Sequence, residues 1–362
     1  MRARAITPLR TVRVLAVDDS SFVLHALERM FAEWEDVRLV GTARDGEAAI
    51  REAAELDPDV IVLDISMPGV DGLEALERIM ASRPVPVILF SSLAKDDAEV
   101  TLRGLELGAV DFIDKGSAGT TMDIHALAPL LHTKILDAAG ASPAGPDVLI
   151  AALPPVERPA DAPAIRSAYD VIVLGTSTGG PRALGRILPR LPADLGAALV
   201  VVQHMPEGFT RSLADRLDQR SALSVREAAS GMALEPGVAL IAPAGMEFDV
   251  VASPAGLRTR LRPPSGTFRH DPSVDGVLLS VARTAGPRAI GVILTGMGED
   301  GAEGLRALRE AGGRTIAESR NTTIIDGMPR AARPAAEIVA PLDAIPQILV
   351  NLCAGRGLVR AD

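Results

Sequence analysis

Asp170-Val-Ile-Val-Leu-Gly175-Thr-Ser177-Thr-Gly179-Gly180-Pro181 is a β-branched apolar run that stops at a cluster of glycines around one serine. Apolar residues at helical spacing follow, at Ala183, Leu184, Ile187 and Leu188. The stretch reads as strand, tight turn, helix. Gly175, Ser177 and Gly179 have the G-x-S-x-G spacing of a nucleophile elbow. Glycine on both sides lets a strained turn lift a serine hydroxyl clear of the backbone, and the helix N-terminus that follows favours negative charge beside it. The same turn suits a phosphate cradled at that helix terminus. This motif alone leaves nucleophile and phosphate cradle both open.

Composition narrows the field. A chain of 362 residues with 48% hydrophobic residues has room for two domains with proper cores. Aromatics make up only 2%, so those cores are Ala, Val, Leu and Ile. A net charge of −10 argues against nucleic acid or an anionic membrane as a main partner. The lone cysteine, Cys353, excludes a disulfide framework and a cysteine-rich zinc site, and is expected to be a small buried hydrophobe. No apolar run reaches the length of a membrane-spanning helix, and Met1-Arg-Ala-Arg is not followed by a secretory apolar segment. The expectation is a cytoplasmic protein with no membrane insertion.

Upstream of the serine turn, short apolar strands alternate with helical patterns. The strands are expected at Val12–Val17, Val37–Thr42, Asp59–Asp64, Val85–Phe90 and Ala109–Lys115. Such alternation means a parallel sheet with helices on both faces. Sheets of this kind place ligands beyond the carboxyl ends of their strands, where Asp18, Asp19, Asp64, Ser91 and Lys115 fall. Three carboxylates in one pocket repel unless a hard cation sits among them, and Mg²⁺ takes oxygen ligands and works with phosphates. A strand-end Asp is also a common helix cap, but five polar residues gathered at the ends of four of the five strands exceed that explanation.

Residues from about Val12 to about Asp137 resemble a response-regulator receiver domain. The resemblance implies that Asp64 accepts a phosphoryl group from a histidine kinase. It implies that Asp18, Asp19 and Asp64 bind Mg²⁺, that Ser91 and Lys115 sense the phosphoryl group, and that Phe112 is the aromatic switch residue. One departure is Gly116, where the family usually has proline after the lysine. The expected domains are a flavodoxin-like receiver over 10–137, a Pro/Ala-rich linker over 138–168, and a second α/β domain over 169–357. Within the linker, Val148-Leu-Ile-Ala-Ala-Leu153 is apolar enough to dock on a domain surface.

Downstream of the serine turn, Ala198–His204 reads as a buried strand ending in histidine. Arg288–Thr295 is a strand leading into Gly296-Met-Gly-Glu-Asp-Gly301, and Arg314–Glu318 is another. Ser224 to Val251 reads as an irregular β insertion, with a hairpin near Gly256. The strand ends thus carry Ser177, His204 and Asp300, the parts of a nucleophile, a base and an orienting acid. The backbone N–H groups of Thr178, just after the serine, and of Met297 suit an oxyanion. Rivals remain on the residues alone: His270 as base, Glu299 as acid, His204 as a packed histidine, and Asp300 as a cap of the helix after it.

From about Tyr169 onward the chain resembles the catalytic domain of chemotaxis protein-glutamate methylesterases, the CheB family. The motifs are Gly175-Thr-Ser-Thr-Gly-Gly180, Gln203-His-Met-Pro-Glu-Gly-Phe-Thr210, Pro272-Ser-Val-Asp275, Leu294-Thr-Gly-Met-Gly-Glu-Asp-Gly301 and Asp326-Gly-Met-Pro-Arg330. The resemblance implies a Rossmann-like domain in which Ser177, His204 and Asp300 form the triad, with no cofactor in that domain. It implies hydrolysis of glutamate methyl esters on chemoreceptors, deamidation of receptor glutamines, and an unphosphorylated receiver that covers the Ser177 cleft. Two other functions stay in view: a non-enzymatic module binding nucleotide at the glycine turn, and an esterase of broad specificity.

Overall fold

The computed structural model describes residues 11–91, 98–118, 124–141 and 167–356. The chain divides into two compact units, residues 1–147 and 148–362. The apolar segment Val148–Leu153 and most of the expected linker lie outside the described residues.

The first unit is built on β1 (Val12–Val17), β2 (Val37–Ala43), β3 (Val60–Leu63), β4 (Val87–Ser91) and β5 (Asp111–Asp114). All pair in parallel, in the order β2-β1-β3-β4-β5. Between and after them run α1 (Ser21–Ala32), α2 (Gly46–Leu56), α3 (Gly72–Ser82), α4 (Ala98–Glu106) and α5 (Ala128–Ala139). Every residue of β3 and β4 is buried. Successive strand residues face opposite sides, so both faces of the sheet are covered, which is why these strands read as unbroken apolar runs. Helix starts are marked locally: Ser20 caps α1, and the Asp45 and Asp71 carboxylates accept the Ala48 and Glu74 N–H groups at 2.8 Å each. Each such cap is worth about 1 kcal/mol.

The second unit contains β6 (Val171–Thr176), α6 (Gly180–Ile187), β7 (Ala198–Gln203), α7 (Phe209–Asp218), β8 (Ser224–Glu227), β9 (Val238–Ile241), β10 (Glu247–Ser253), β11 (Gly256–Arg262) and α8 (Val274–Thr284). It continues with β12 (Ala289–Ile293), α9 (Ala302–Glu310), β13 (Arg314–Glu318), α10 (Gly327–Ala332), β14 (Ile338–Ala340) and α11 (Ile345–Cys353). Seven strands form one parallel sheet in the order β14-β13-β12-β6-β7-β9-β8. The expected β insertion therefore divides. Its first two strands, β8 and β9, extend the parallel sheet, and only the antiparallel hairpin β10–β11 stands apart. The hairpin is fastened to α8, where the Ser280 hydroxyl accepts the Val250 N–H at 2.9 Å.

Residues Val171 to Leu174 of β6 are 0% exposed, at the centre of the core. Burying one such aliphatic side chain contributes about 1.5–3 kcal/mol. Cys353 is free and buried, as expected. Among the described residues no helix is long and apolar enough to cross a membrane.

From β6 the chain moves outward to β7, then returns to place β12 on the other side of β6. The order of the sheet reverses there, and the crevice beyond the carboxyl ends of β12, β6 and β7 is the place where such sheets bind ligands.

Candidate active site

Ser177, His204 and Asp300 stand just beyond β6, β7 and β12, on either side of that reversal. Ser177 is held by its backbone. Its N–H donates to the Thr295 carbonyl at 3.1 Å, and its carbonyl accepts the Gly180 N–H at 2.8 Å. The turn needs its glycines. Gly179 has φ +78°, and a Cβ on Gly296 would lie 2.3 Å from Met328 Sδ and 2.9 Å from Ser177 Cβ. The Thr176 hydroxyl donates to the Thr295 carbonyl at 2.8 Å, so the strand end and the loop after β12 are stitched twice.

His204 Nε2 meets Asp300 Oδ2 at 2.9 Å, with both side chains mostly buried. Asp300 does not cap the helix that follows it, since Gly301 is the N-cap of α9 and has φ +98°. It sits at the start of a different helix. Its Oδ1 accepts the Ser273 hydroxyl and the Asp275 N–H, each at 2.9 Å, and its Oδ2 accepts the Val274 N–H at 2.8 Å. Ser273 is the N-cap of α8, so the carboxylate lies at the positive end of that helix. Burial alone would raise its pKa. The His204 hydrogen bond and charge and the two backbone N–H groups outweigh burial and hold the acid well below the usual carboxylate range.

The rivals fall into place around this pair. The His270 ring stacks on His204, with centroids 4.2 Å apart and planes 24° from parallel. Desolvation and the neighbouring His204 lower its pKa to about 4, so it is neutral near neutral pH. Asp275 accepts the Gly304 N–H at 2.7 Å, and burial lifts its pKa to about 6. Glu299 is exposed, whereas Asp300 reaches the histidine. Thr178 is buried after the serine, and Met297 is half-buried in the opposing loop. Among the described residues the Ser177 hydroxyl forms no hydrogen bond with His204; the serine is brought beside the pair through the main chain.

Two polar residues of this region escaped the sequence reading. Gln203, the last residue of β7, is 2% exposed and bonds the main chain at both Ser177 and His204. Glu318 closes β13 and is fully buried; its Oε2 accepts the Thr295 N–H at 2.8 Å and its Oε1 the Thr322 hydroxyl at 2.9 Å. Burial raises its pKa to about 7, more than these hydrogen bonds lower it. The available signal was a polar residue ending an otherwise apolar strand.

The first unit gathers its own set. Asp18 and Asp19 follow β1, Asp64 follows β3, Ser91 ends β4 and Lys115 follows β5. Oxygens of Asp18, Asp19 and Asp64 lie within 4.8 Å of one another. Lys115 Nζ is 2.6 Å from Asp18 Oδ2 and 2.9 Å from Asp64 Oδ2, and lies 5.3 Å from the Phe90 ring centre. Asp18 is 1% exposed, and its pKa is raised because burial outweighs the attraction of Lys115 while Asp64 adds repulsion. Ser91 and Phe112 are both buried. The N–H of Gly116, where the family usually has a proline without one, donates to Asp114 Oδ1 at 2.7 Å and ties the loop down.

Fold and sites together define a two-domain signalling hydrolase, with a receiver fold followed by a parallel α/β catalytic fold. The comparisons agree. Residues 172–349 match the CheB methylesterase family model and residues 14–125 the response regulator receiver domain. The chain is 41% identical over 353 residues to a protein-glutamate methylesterase/protein-glutamine glutaminase of Geobacillus kaustophilus, covering 95% of this chain and 99% of that one. It is 44% identical over 331 residues to the protein of the same description from Symbiobacterium thermophilum, covering 89% and 91%. The crystal structure of the Thermotoga maritima CheB methylesterase catalytic domain matches at 40% identity and a TM-score of 0.50, covering 51% of this chain and 98% of that one. The chain belongs to the CheB family of methylesterases with an N-terminal receiver domain.

Proposed function

We propose that the chain hydrolyses glutamate methyl esters on chemoreceptors, and deamidates receptor glutamines, through Ser177, His204 and Asp300. The observation that carries the reading is the His204–Asp300 bond beside the Ser177 turn, with Asp300 anchored at the start of α8. With Nε2 committed to Asp300, Nδ1 is the nitrogen left to take the serine proton. Ser177 Oγ attacks the side-chain acyl carbon while His204 takes its proton. The carbonyl oxygen becomes an oxyanion, facing the N–H groups of Met297 and Thr178. On collapse of the tetrahedral intermediate, His204 returns the proton to the departing methoxide, which leaves as methanol, or to the amide nitrogen of a glutamine, which leaves as ammonia. Water then enters by the same route and releases the glutamate carboxylate. Asp300 keeps the imidazole tautomer fixed and stabilises the imidazolium, and its low pKa keeps it ionised throughout.

In the receiver, Asp64 accepts the phosphoryl group of a histidine kinase. Three convergent carboxylates, two of them buried around a single lysine, fit a hard divalent cation. Asp18, Asp19 and Asp64 would hold Mg²⁺, which would neutralise charge on the phosphoryl oxygens. Lys115 and Ser91 would contact those oxygens, and buried Phe112 would report their arrival. Phosphorylation then raises the hydrolytic rate by a population shift.

The test is methanol release from methylated receptor membranes by wild type, Ser177→Ala and Asp64→Ala, each with and without a small phosphodonor and Mg²⁺. Ser177→Ala is expected to be inactive. Asp64→Ala is expected to keep basal release and to ignore the phosphodonor. Release by Ser177→Ala at the wild-type rate would return the glycine turn to a phosphate cradle. A fragment beginning near Tyr169 is expected to outpace the unphosphorylated full chain; equal rates would sink the inhibition model.

A further inference from the structure

Gln203 ends a strand whose other five residues, Ala198 to Val202, are all buried and apolar. Its Nε2 donates to the Ser177 carbonyl at 2.9 Å and to the His204 carbonyl at 2.8 Å. Two acceptors on one atom identify that end of the amide as the NH₂ group. The other end, Oε1, is buried without a partner among the described residues. An orphaned buried carbonyl is destabilising, a cost that an apolar residue at this strand end would not incur. The surroundings are shaped to the amide nonetheless. A Cβ on Gly180 would lie 1.9 Å from Gln203 Oε1 and 2.6 Å from Thr176 Oγ1, so the first residue of α6 must be glycine for the amide to fit. The Ser177 carbonyl has a second donor in the Gly180 N–H, and the His204 N–H donates to the Thr176 carbonyl at 3.1 Å, but among the described residues it is the amide that joins residue 177 itself to residue 204.

We infer that Gln203 is a positioning residue, which fixes the spacing between the Ser177 turn and the His204 main chain without touching substrate. The inference rests on the triad reading above. Its physical content is that proton transfer from serine to imidazole depends steeply on separation: a misplacement of about 1 Å costs about a hundredfold in rate. Each carbonyl accepting from Nε2 belongs to a residue whose side chain must meet the other, so one planar group sets both ends of that distance.

The experiment uses the full chain with Gln203→Met, which keeps length but no polar atoms, and Gln203→Glu, which keeps shape but loses the two donors at neutral pH. Three quantities are read for each: kcat and KM on methylated receptor membranes, the rate at which a fluorophosphonate probe labels Ser177, and the thermal midpoint. Both variants are expected to fold, to hold KM within about twofold, and to lose about thirty- to a hundredfold in both kcat and labelling. A folded variant with kcat within about threefold of wild type would overturn the proposal. So would a loss of rate that only tracks a loss of folded protein, including failure of both variants to fold, since Gln203 would then be a strut of the sheet. Ser177→Ala, run alongside, separates the two readings. If it is inactive while Gln203→Met is active, this proposal alone fails; if it remains active, the triad reading fails with it.

Discussion

Asp18 and Asp300 are two largely buried aspartates just beyond strands of parallel sheets, and their protonation equilibria move in opposite directions. At Asp18, burial wins: a lysine at 2.6 Å and the Ser20 N–H do not offset desolvation plus the nearby Asp64. At Asp300, burial is also the largest influence, yet a histidine and two backbone N–H groups together reverse it, and the Ser273 hydroxyl is a fourth donor to the carboxylate. One flexible ammonium shared between two acids satisfies neither fully, whereas four fixed donors satisfy one acid completely. The first arrangement is a pocket that gains from an added cation. The second is a finished electrostatic unit that can be used without one.

Removing the charge from the finished unit should do the most damage. Asp300→Asn is expected to lower methanol release about 10³- to 10⁴-fold by freeing the imidazole tautomer, with receiver phosphorylation unchanged; a loss under tenfold would break the contrast. In the receiver, chelating Mg²⁺ is expected to abolish the phosphodonor response while leaving basal release intact. Mg²⁺ at a hundred times its dissociation constant should stabilise the receiver by about 2.7 kcal/mol. Asp18→Asn should lose most of that gain, as read by thermal midpoints with and without the ion.

Glu318 offers a sharper version of the contrast, because its two hydrogen bonds fail to overcome full burial. Its folded pKa, about 7, lies above the unfolded carboxyl value, so the folded chain holds the proton more tightly. Stability is therefore lost as pH rises from the ordinary carboxyl range towards 7. Glu318→Gln should flatten that slope in urea titrations at pH 5, 6 and 7. The smallest effect is expected at His270. Its pKa near 4 lies below the unfolded histidine value, so stability rises with pH between them. His270→Ala should flatten that rise and change kcat by no more than a few fold.

Both parallel sheets were legible in the sequence because their strands are buried on two faces and read as apolar runs, ended by the very residues that form the sites. On the residues alone the His204–Asp300 pair was legible as two strand ends with rivals beside each, since 96 residues separate its members, and the family resemblance is what implied that they meet. The anchoring of Asp300 on α8 went unread for the same reason: nothing local ties residue 300 to the start of a helix at residue 274. The strands β8 and β9 were missed as sheet members because they are only four residues each, broken by Pro236-Gly237. Gln203 was visible as the first residue of a family motif and, like Glu318, as a polar exception at a strand end. That pattern does not say whether the residue faces ligand or backbone.

The placement of β12 beside β6 has a consequence for how the chain is made. About 110 residues separate the end of β6 from the start of the strand that covers its side. At ribosomal rates of about 5–20 residues per second, β6 emerges with that side unpaired for about 6–20 s. Over that interval Val171 to Leu174 form an apolar, hydrogen-bond-hungry edge, the kind that recruits other chains. Because Asp300 arrives only after β12, the nascent polypeptide also lacks the acid of the proposed triad throughout that wait. Arrival of that acid and closure of this edge fall in one late stretch of synthesis.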